Sequence, residues 1–374
     1  MFKYPLFKTY YSSQLDSVIS SVLQSGAVAS GKYIKEFENG LGDLLGEQFV
    51  VSTSNMSAAM YIALYLSGVG KGDEVLTTAF TCMSSNSPIN NIGAIPVWVD
   101  LFPGSFHMDP ALLERAITEK TKAVILYHTA GYPANSKAIS EICKRHGITL
   151  IEDCNNAFLS SNRDGLSGSY GDFSIHSFYP NRLINTIEGG ALICKHQDDY
   201  ERALKLRRFG VDSATFRNAI GEINPQSNIA EIGWSMNLPN LNCAMGSVQL
   251  SDVNDRLAAI QSNASCIDSY LDQMQGVTRP QLQEKDEPAY WVYLLQVEQR
   301  DLFIKKLKEA GVHASSLHHR NDIYSGFNAK ASSLPVTDEV QSTILALPVG
   351  WWLTKNDIIT MMDIFSKVKE KLDD

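Results

Sequence analysis

Between residues 45 and 195, short apolar runs alternate with longer amphipathic ones, and that alternation leaves few folds open to the chain. Strand-like runs fall at 49–52, 74–77, 95–99, 123–126, 149–152, 172–177 and 190–194, with helical runs at 57–67, 84–91, 110–116 and 134–146. Strands joined through helices need crossover connections, which build a parallel sheet with helices on its faces. Stretches 68–73 and 159–171 are rich in Gly, Ser, Asn and Asp and read as loops, the second just before a strand where it can border a site. From Leu241 a helical period runs through Ala244, Val248, Leu250, Val253, Leu257 and Ile260 and predicts one long connecting helix. Beyond it, a strand at 291–297 and helices at 300–310 and 355–372 predict a small α+β domain. The division expected is a large α/β domain over 1–250 and a linker helix with the small domain over 251–374.

A chain of 374 residues with 44% apolar and 20% charged side chains has the material for two cores and does not read as disordered. No apolar run approaches the roughly 20 residues a membrane crossing needs. The first residues, Met1 to Pro5, lack a signal-like apolar core, so a cytoplasmic location is expected. The net charge of −9 argues against a general nucleic-acid binder. The six cysteines are scattered without a CxxC pair and read as reduced packing residues, and no metal site is expected.

Three segments carry chemistry. Ser54-Asn55-Met56-Ser57-Ala58-Ala59 follows a strand and opens a helix, where free N–H groups and the helix dipole favour an anion; a plain helix cap by Ser54 or Asn55 is the other reading. Ile151-Glu152-Asp153-Cys154-Asn155-Asn156 ends an apolar strand in acids and amides, which either face a ligand at the strand's carboxyl end or form a surface turn. The run from Asp172 to Arg182, followed by Glu188-Gly189-Gly190, is a strand entering a polar turn and returning through small residues.

In combination these segments resemble the DegT/DnrJ/StrS family of sugar aminotransferases, fold type I enzymes that use pyridoxal phosphate on nucleotide-linked keto sugars. The resemblance spans nearly the whole chain, from Ser25-Gly26-Ala27-Val28-Ala29-Ser30-Gly31 and Glu36-Phe37-Glu38 through Asn55 to Ala59, Phe80-Thr81, Ile151-Glu152-Asp153, Ser177-Phe178-Tyr179-Pro180, Glu188-Gly189-Gly190 and Leu206 to Gly210, to Leu345-Ala346-Leu347-Pro348. It implies a mostly parallel seven-stranded sheet in the large domain, with Asp153 on the pyridinium nitrogen and Ser57, Ala58 and Ser177 on the cofactor phosphate. Asn156 stands where the family has a glutamine near the phenolic oxygen. Glu188 stands on the acid of the Gly-Glu-Gly-Gly turn near the sugar. The resemblance also implies a homodimer, with residues 233–237 in the part that crosses to the partner.

Four positions depart from the family pattern. Arg182 replaces the lysine that forms the Schiff base, Cys82 an aromatic that stacks on the ring, Met56 a phosphate-loop glycine, and Ser235 an asparagine that reaches the neighbouring subunit's phosphate. A guanidinium stays protonated and cannot condense with an aldehyde, though it is a good fork for phosphate or carboxylate. Some relatives carry histidine at this position and use pyridoxamine phosphate as sugar dehydratases. His318-His319-Arg320-Asn321-Asp322 reads either as a clamp for a substrate phosphate or carboxylate, through His319 and Arg320, or as a solvated loop with an internal Arg–Asp pair. The expectation is therefore an enzyme of this lineage that binds pyridoxal or pyridoxamine phosphate noncovalently, with Arg182 and Glu188 at the catalytic positions. The alternatives are a pyridoxamine-phosphate-dependent dehydratase and a cofactor-free descendant that binds sugar nucleotides or regulates.

Overall fold

The computed structural model describes residues 2–327 and 332–373. Its strands in chain order begin with β1 (Val50–Thr53), β2 (Glu74–Thr77), β3 (Ile95–Trp98), β4 (Thr121–Tyr127) and β5 (Thr149–Asp153). A two-residue hairpin, β6 (Ser161–Asn162) and β7 (Gly165–Leu166), then precedes β8 (Phe173–Ser177) and β9 (Gly190–Cys194). Seven of these form one sheet in the order β1-β9-β8-β5-β4-β2-β3, in which β9 alone runs antiparallel to its neighbours. All seven strands expected from the sequence are present, each end within two residues. The loop expected at 159–171 holds the small hairpin.

Helices cover both faces of the sheet, which is why the strands read as continuous apolar runs. Val75, Ile125, Ile151, Ile175 and Leu192 pack with Met60, Ile62 and Ala63 of the helix Met56–Leu66. Their sequence neighbours Leu76, Val124 and Leu150 point the other way, into a core shared with Leu113, Ile139 and Ile142. Each such fully buried side chain contributes roughly 1.5–3 kcal/mol. Local signals place the helices: Asp109 caps the helix Pro110–Ala116 with proline in its first turn, and Asn135 and Gly147 bound Ser136–His146.

A second, three-stranded antiparallel sheet is built from β10 (Val277–Thr278), β11 (Tyr293–Val297) and β12 (Ile344–Leu347). Leu294, Leu295, Leu345 and Leu347 pack against Phe303, Leu307, Met361 and Phe365. The first residues join this core, since Tyr4 and Leu6 are buried in it and Tyr4 bridges to Val312.

The single helix expected from Leu241 onward is instead two, Asn240–Ser247 and Val253–Leu271. Gln249 breaks it. This buried side chain donates to Asn185 O and Met245 O, both at 2.7 Å, and accepts from Asn185 N at 3.1 Å, a tertiary contact that outweighs the periodicity. Among the described residues no helix is long and apolar enough to cross a membrane.

Candidate active site

Strands β2, β3, β4, β5 and β8 run parallel and leave the sheet at one edge, and the loops at that edge carry the polar residues picked out from the sequence. Open α/β sheets bind ligands outside the carboxyl ends of their strands.

Glu152 and Asp153 end β5 and, because strand side chains alternate, serve different surroundings. Glu152 accepts from Ser136 Oγ at 2.5 Å, from the backbone of Gly168, Tyr170 and Gly171 at 3.1, 2.8 and 2.6 Å, and from His128 Nε2 at 2.9 Å. Burial pushes this carboxyl up, but the donors outweigh it and hold it below its ordinary range, so Glu152 is structural. Asp153 has fewer donors: Ser85 Oγ at 2.5 Å on Oδ2, and Asn155 N and Nδ2 at 3.1 and 2.8 Å on Oδ1. Here burial wins and the carboxyl is raised, an environment that a cationic ligand atom would relieve.

Arg182, in the turn after β8, donates from Nη1 to Asn181 Oδ1 at 2.6 Å and from Nη2 to Asn155 Oδ1 at 3.1 Å. Its guanidinium lies 4.6 Å from the centre of the Trp291 ring. Nε is buried with no partner, and among the described residues no carboxylate pairs with this side chain. Burial lowers its pKa to about 10, so it stays charged at neutral pH.

Tyr127 ends β4 beside it. The Tyr127 hydroxyl accepts from Asn156 Nδ2 at 2.8 Å and Ala130 N at 3.3 Å, which leaves its own hydrogen for His318 Nε2 at 3.1 Å. Burial, with Arg182 nearby, lowers the His318 pKa to about 3, so the pair is neutral with one proton between its members. Gly131 permits this close wall: its φ is +93°, and a Cβ there would lie 2.8 Å from Asn156 O and 2.9 Å from Tyr290 N.

At the other end of the cleft, Gly190 stands opposite Thr53 on one side and Ser177 on the other. A Cβ at Gly190 would come within 2.7 Å of Met56 N, so a glycine here lets the helix Met56–Leu66 begin against the strand. Asn55 caps that helix by accepting from Ala58 N at 2.9 Å, while among the described residues the Met56 and Ser57 N–H groups have no acceptor. The arrangement thus offers donors to an anion at 56–57, a buried carboxyl for a cation at Asp153, and one exchangeable proton between Tyr127 and His318.

The model of the DegT/DnrJ/EryC1/StrS aminotransferase family matches residues 11–366. The chain belongs to this family. Among curated relatives it is 29% identical to a GDP-perosamine synthase of Caulobacter vibrioides, covering 92% of each chain. It is 26% identical to the spore coat polysaccharide biosynthesis protein SpsC of Bacillus subtilis, covering 91% of this chain and 90% of that one. Among solved structures it superposes on the sugar aminotransferase CalS13 from Micromonospora echinospora with a TM-score of 0.91 at 30% identity, covering 97% and 99% of the two chains.

In this DegT/DnrJ/EryC1/StrS family member, Asn156, Ser177 and Arg182 line one recess, and Asp153 lies behind Asn155. Met56 turns its side chain into the core with Val51 and Met60. Cys82 is half-buried at the start of the helix Met83–Asn91, close enough to Arg182 for the charge to be felt. Glu188, Ser235 and His319 are exposed. Arg320 is held by Asp322, with Nε at 2.7 Å and Nη2 at 2.5 Å, and also by Asp338 of the helix Pro335–Thr343, so its charge is balanced by neighbouring acids.

Ser85, Tyr127 and Trp291 carry no expected role from the sequence, although Tyr127 lies one residue past the expected strand end. Asn155 and His318 fall inside segments expected to carry chemistry, the acid-amide strand end and the basic cluster, but the sequence does not tie them to Arg182 or Tyr127. Trp291 arrives from a distant segment with no spacing that marks it.

Proposed function

We propose that this chain binds pyridoxal or pyridoxamine phosphate without a covalent bond and acts on a nucleotide-linked keto sugar, in the making of a surface polysaccharide or deoxyamino sugar. The names of the GDP-perosamine synthase and spore coat relatives support that substrate class. The observation that carries the cofactor reading is Asp153, a fully buried carboxyl raised by burial at the carboxyl edge of the sheet.

Other residues fit the same group. Asn156 Oδ1 is a buried acceptor without a partner, and the unpaired Met56 and Ser57 amides face the Gly190 approach near Ser177. When bound, the cofactor supplies an electron sink for the carbon that carries the amine. Asp153 would keep the ring nitrogen protonated, and the Ser57 and Ser177 side chains with the Met56 and Ser57 amides would hold the phosphate. Ala58, expected on the phosphate, has no donor left for it, because its N–H donates to Asn55 Oδ1. Arg182 stands at the lysine position and cannot attach covalently, so retention rests on these noncovalent contacts. The Tyr127–His318 pair forms a neutral hydrogen-bonded wall beside Arg182, and the exposed Glu188 and His319 would face the sugar side.

A homodimer with composite sites is part of this reading. The stretch 209–232 leaves Phe209, Ile220, Ile223 and Ile232 exposed, Ile220 by 83% and Ile232 by 73%, apolar side chains that a partner subunit would cover. Obligate interfaces bury roughly 2,000 Å² or more. Light scattering at micromolar concentration should give twice the chain mass.

An absorbance titration with pyridoxal phosphate, before and after borohydride, tests the proposal. Bound cofactor that borohydride does not fix to the protein is expected. No binding by a folded protein overturns it in favour of a cofactor-free binding or regulatory protein. Product analysis with a keto-sugar nucleotide separates transfer of an amine from loss of a hydroxyl, the outcome of the dehydratase alternative.

A further inference from the structure

The recess in front of Arg182 has an unusual charge. Its lining includes two cations, Arg182 and Lys8, and no acidic side chain, although the chain as a whole carries nine more negative than positive charges. The cavity proper is small, about 40 Å³, and opens to solvent. Lys8 is exposed, lies 5.9 Å from the centre of the Trp351 ring, and has no carboxylate partner among the described residues. Arg182 likewise has no carboxylate partner among the described residues; it is linked to Asp153 through the Asn155 amide.

An unpaired guanidinium in a partly buried place is costly. Two of its five N–H groups are used, on Asn181 and Asn155, and stacking on Trp291 fixes the plane of the rest. Beside it, Asn156 Oδ1 is an acceptor without a donor. The same wall therefore asks for acceptors at Arg182 and for a donor at Asn156.

We propose that this recess is an anion subsite: it takes a ligand carrying an oxyanion, with a hydroxyl close by, the oxyanion forked by Arg182 and the hydroxyl donating to Asn156. Lys8 adds charge at the mouth. Ser177 lines the recess and pairs with Gly190, whose approach to Met56 N joins the subsite to the amides of Met56 and Ser57; anion binding at Arg182 does not require the cofactor. A phosphate or carboxylate of a sugar nucleotide and the phosphate of a pyridoxal compound share the needed chemistry.

Calorimetry on the full chain tests this, with UDP, UDP-glucuronate, uridine, pyridoxal 5′-phosphate and pyridoxal as probes. At least one phosphate-bearing probe should bind at least tenfold more tightly than its uncharged counterpart. Arg182→Gln should lower that affinity at least tenfold and Lys8→Gln about two- to fivefold, with a shallower salt dependence in both. Lys8 is exposed, so its variant stays informative should Arg182→Gln fail to fold. Loss confined to the uridine compounds makes the sugar nucleotide the source of the oxyanion, and loss confined to pyridoxal phosphate makes it the cofactor. If pyridoxal phosphate fails to bind while UDP binds through Arg182, the cofactor reading falls and the subsite stands. Affinities unchanged in both variants, or no binding of any anionic probe to the folded wild-type chain, overturn it.

Discussion

Arg182 Nη2 donates to Asn155 Oδ1 at 3.1 Å, and the same amide donates onward to Asp153, so the arginine is coupled to the buried carboxyl through Asn155 and not as an ion pair. The amide orientation is fixed by chemistry, because only its oxygen can face a guanidinium and only its nitrogen a carboxylate. Replacing Asn155 by leucine, similar in size but apolar, strips a partner from both charged groups. The expected loss is about 1–3 kcal/mol of stability. Urea unfolding measures it, and an unchanged midpoint would show that the coupling contributes nothing.

Asp153→Asn keeps the shape of the site and removes its charge. If the carboxylate faces a protonated ring nitrogen, the variant should lose about 1.5–3 kcal/mol of binding to pyridoxal phosphate, the usual worth of a charge-assisted hydrogen bond. Fluorescence titration reads this directly. Equal affinity in the two proteins would remove Asp153 from the site.

Histidines give the fold a pH limit. Burial, then a neighbouring histidine or arginine, lowers His107 and His318 to about 3 and His176 to about 4. As pH falls below about 6.5 the unfolded chain takes up these protons and the folded chain does not. The unfolded state then binds more protons, so the stability these residues contribute is complete above pH 6.5 and drains away as pH falls towards 4 and 3. Each contributes up to about 1.4 kcal/mol per pH unit in that window. The melting temperature should drop between pH 7 and pH 5, and His107→Gln should flatten the slope; a flat profile in the wild-type chain would contradict this.

The sheet was legible because burial on both faces writes most of its strands as short, largely apolar runs, and only the ends moved, as at β4, which extends to Tyr127. The connecting helix was misjudged for a reason local pattern does not contain: Gln249 spends its hydrogen bonds on Asn185, 64 residues away. Within the site, Asp153, Asn156, Ser177 and Arg182 were visible because they cluster at strand ends near one another in sequence. His318 and Trp291 were not, since neither spacing nor composition ties residue 318 to Tyr127 or residue 291 to Arg182. Arg320 carried the more conspicuous charge, yet Asp322 and Asp338 absorb it.

Arg182→Lys asks whether the pocket still holds pyridoxal phosphate in the family's orientation. The backbone that aims residue 182 is held by hydrogen bonds: its N–H donates to Tyr179 O at 3.0 Å, Thr186 N donates to Phe178 O at 2.9 Å, and Phe178 N donates to Gly189 O at 2.9 Å, closing the turn onto the sheet. A lysine placed there enters the same recess beside Asn155, Asn156 and Trp291, with burial and the absence of an acidic lining both lowering its pKa towards the neutral amine that reacts. If Asp153, Ser57 and Ser177 position the cofactor, the amine should meet the aldehyde, giving a visible absorbance band and, after borohydride, a fixed adduct at residue 182 found by peptide mapping. Turnover need not follow, because the resemblance implies departures at Met56, Cys82 and Ser235 as well, and misplacement by about 1 Å can cost roughly 10²-fold in rate. A folded variant that shows no adduct at saturating cofactor would sink the retained-pocket reading, and the recess at Arg182 would then be read as an anion site alone.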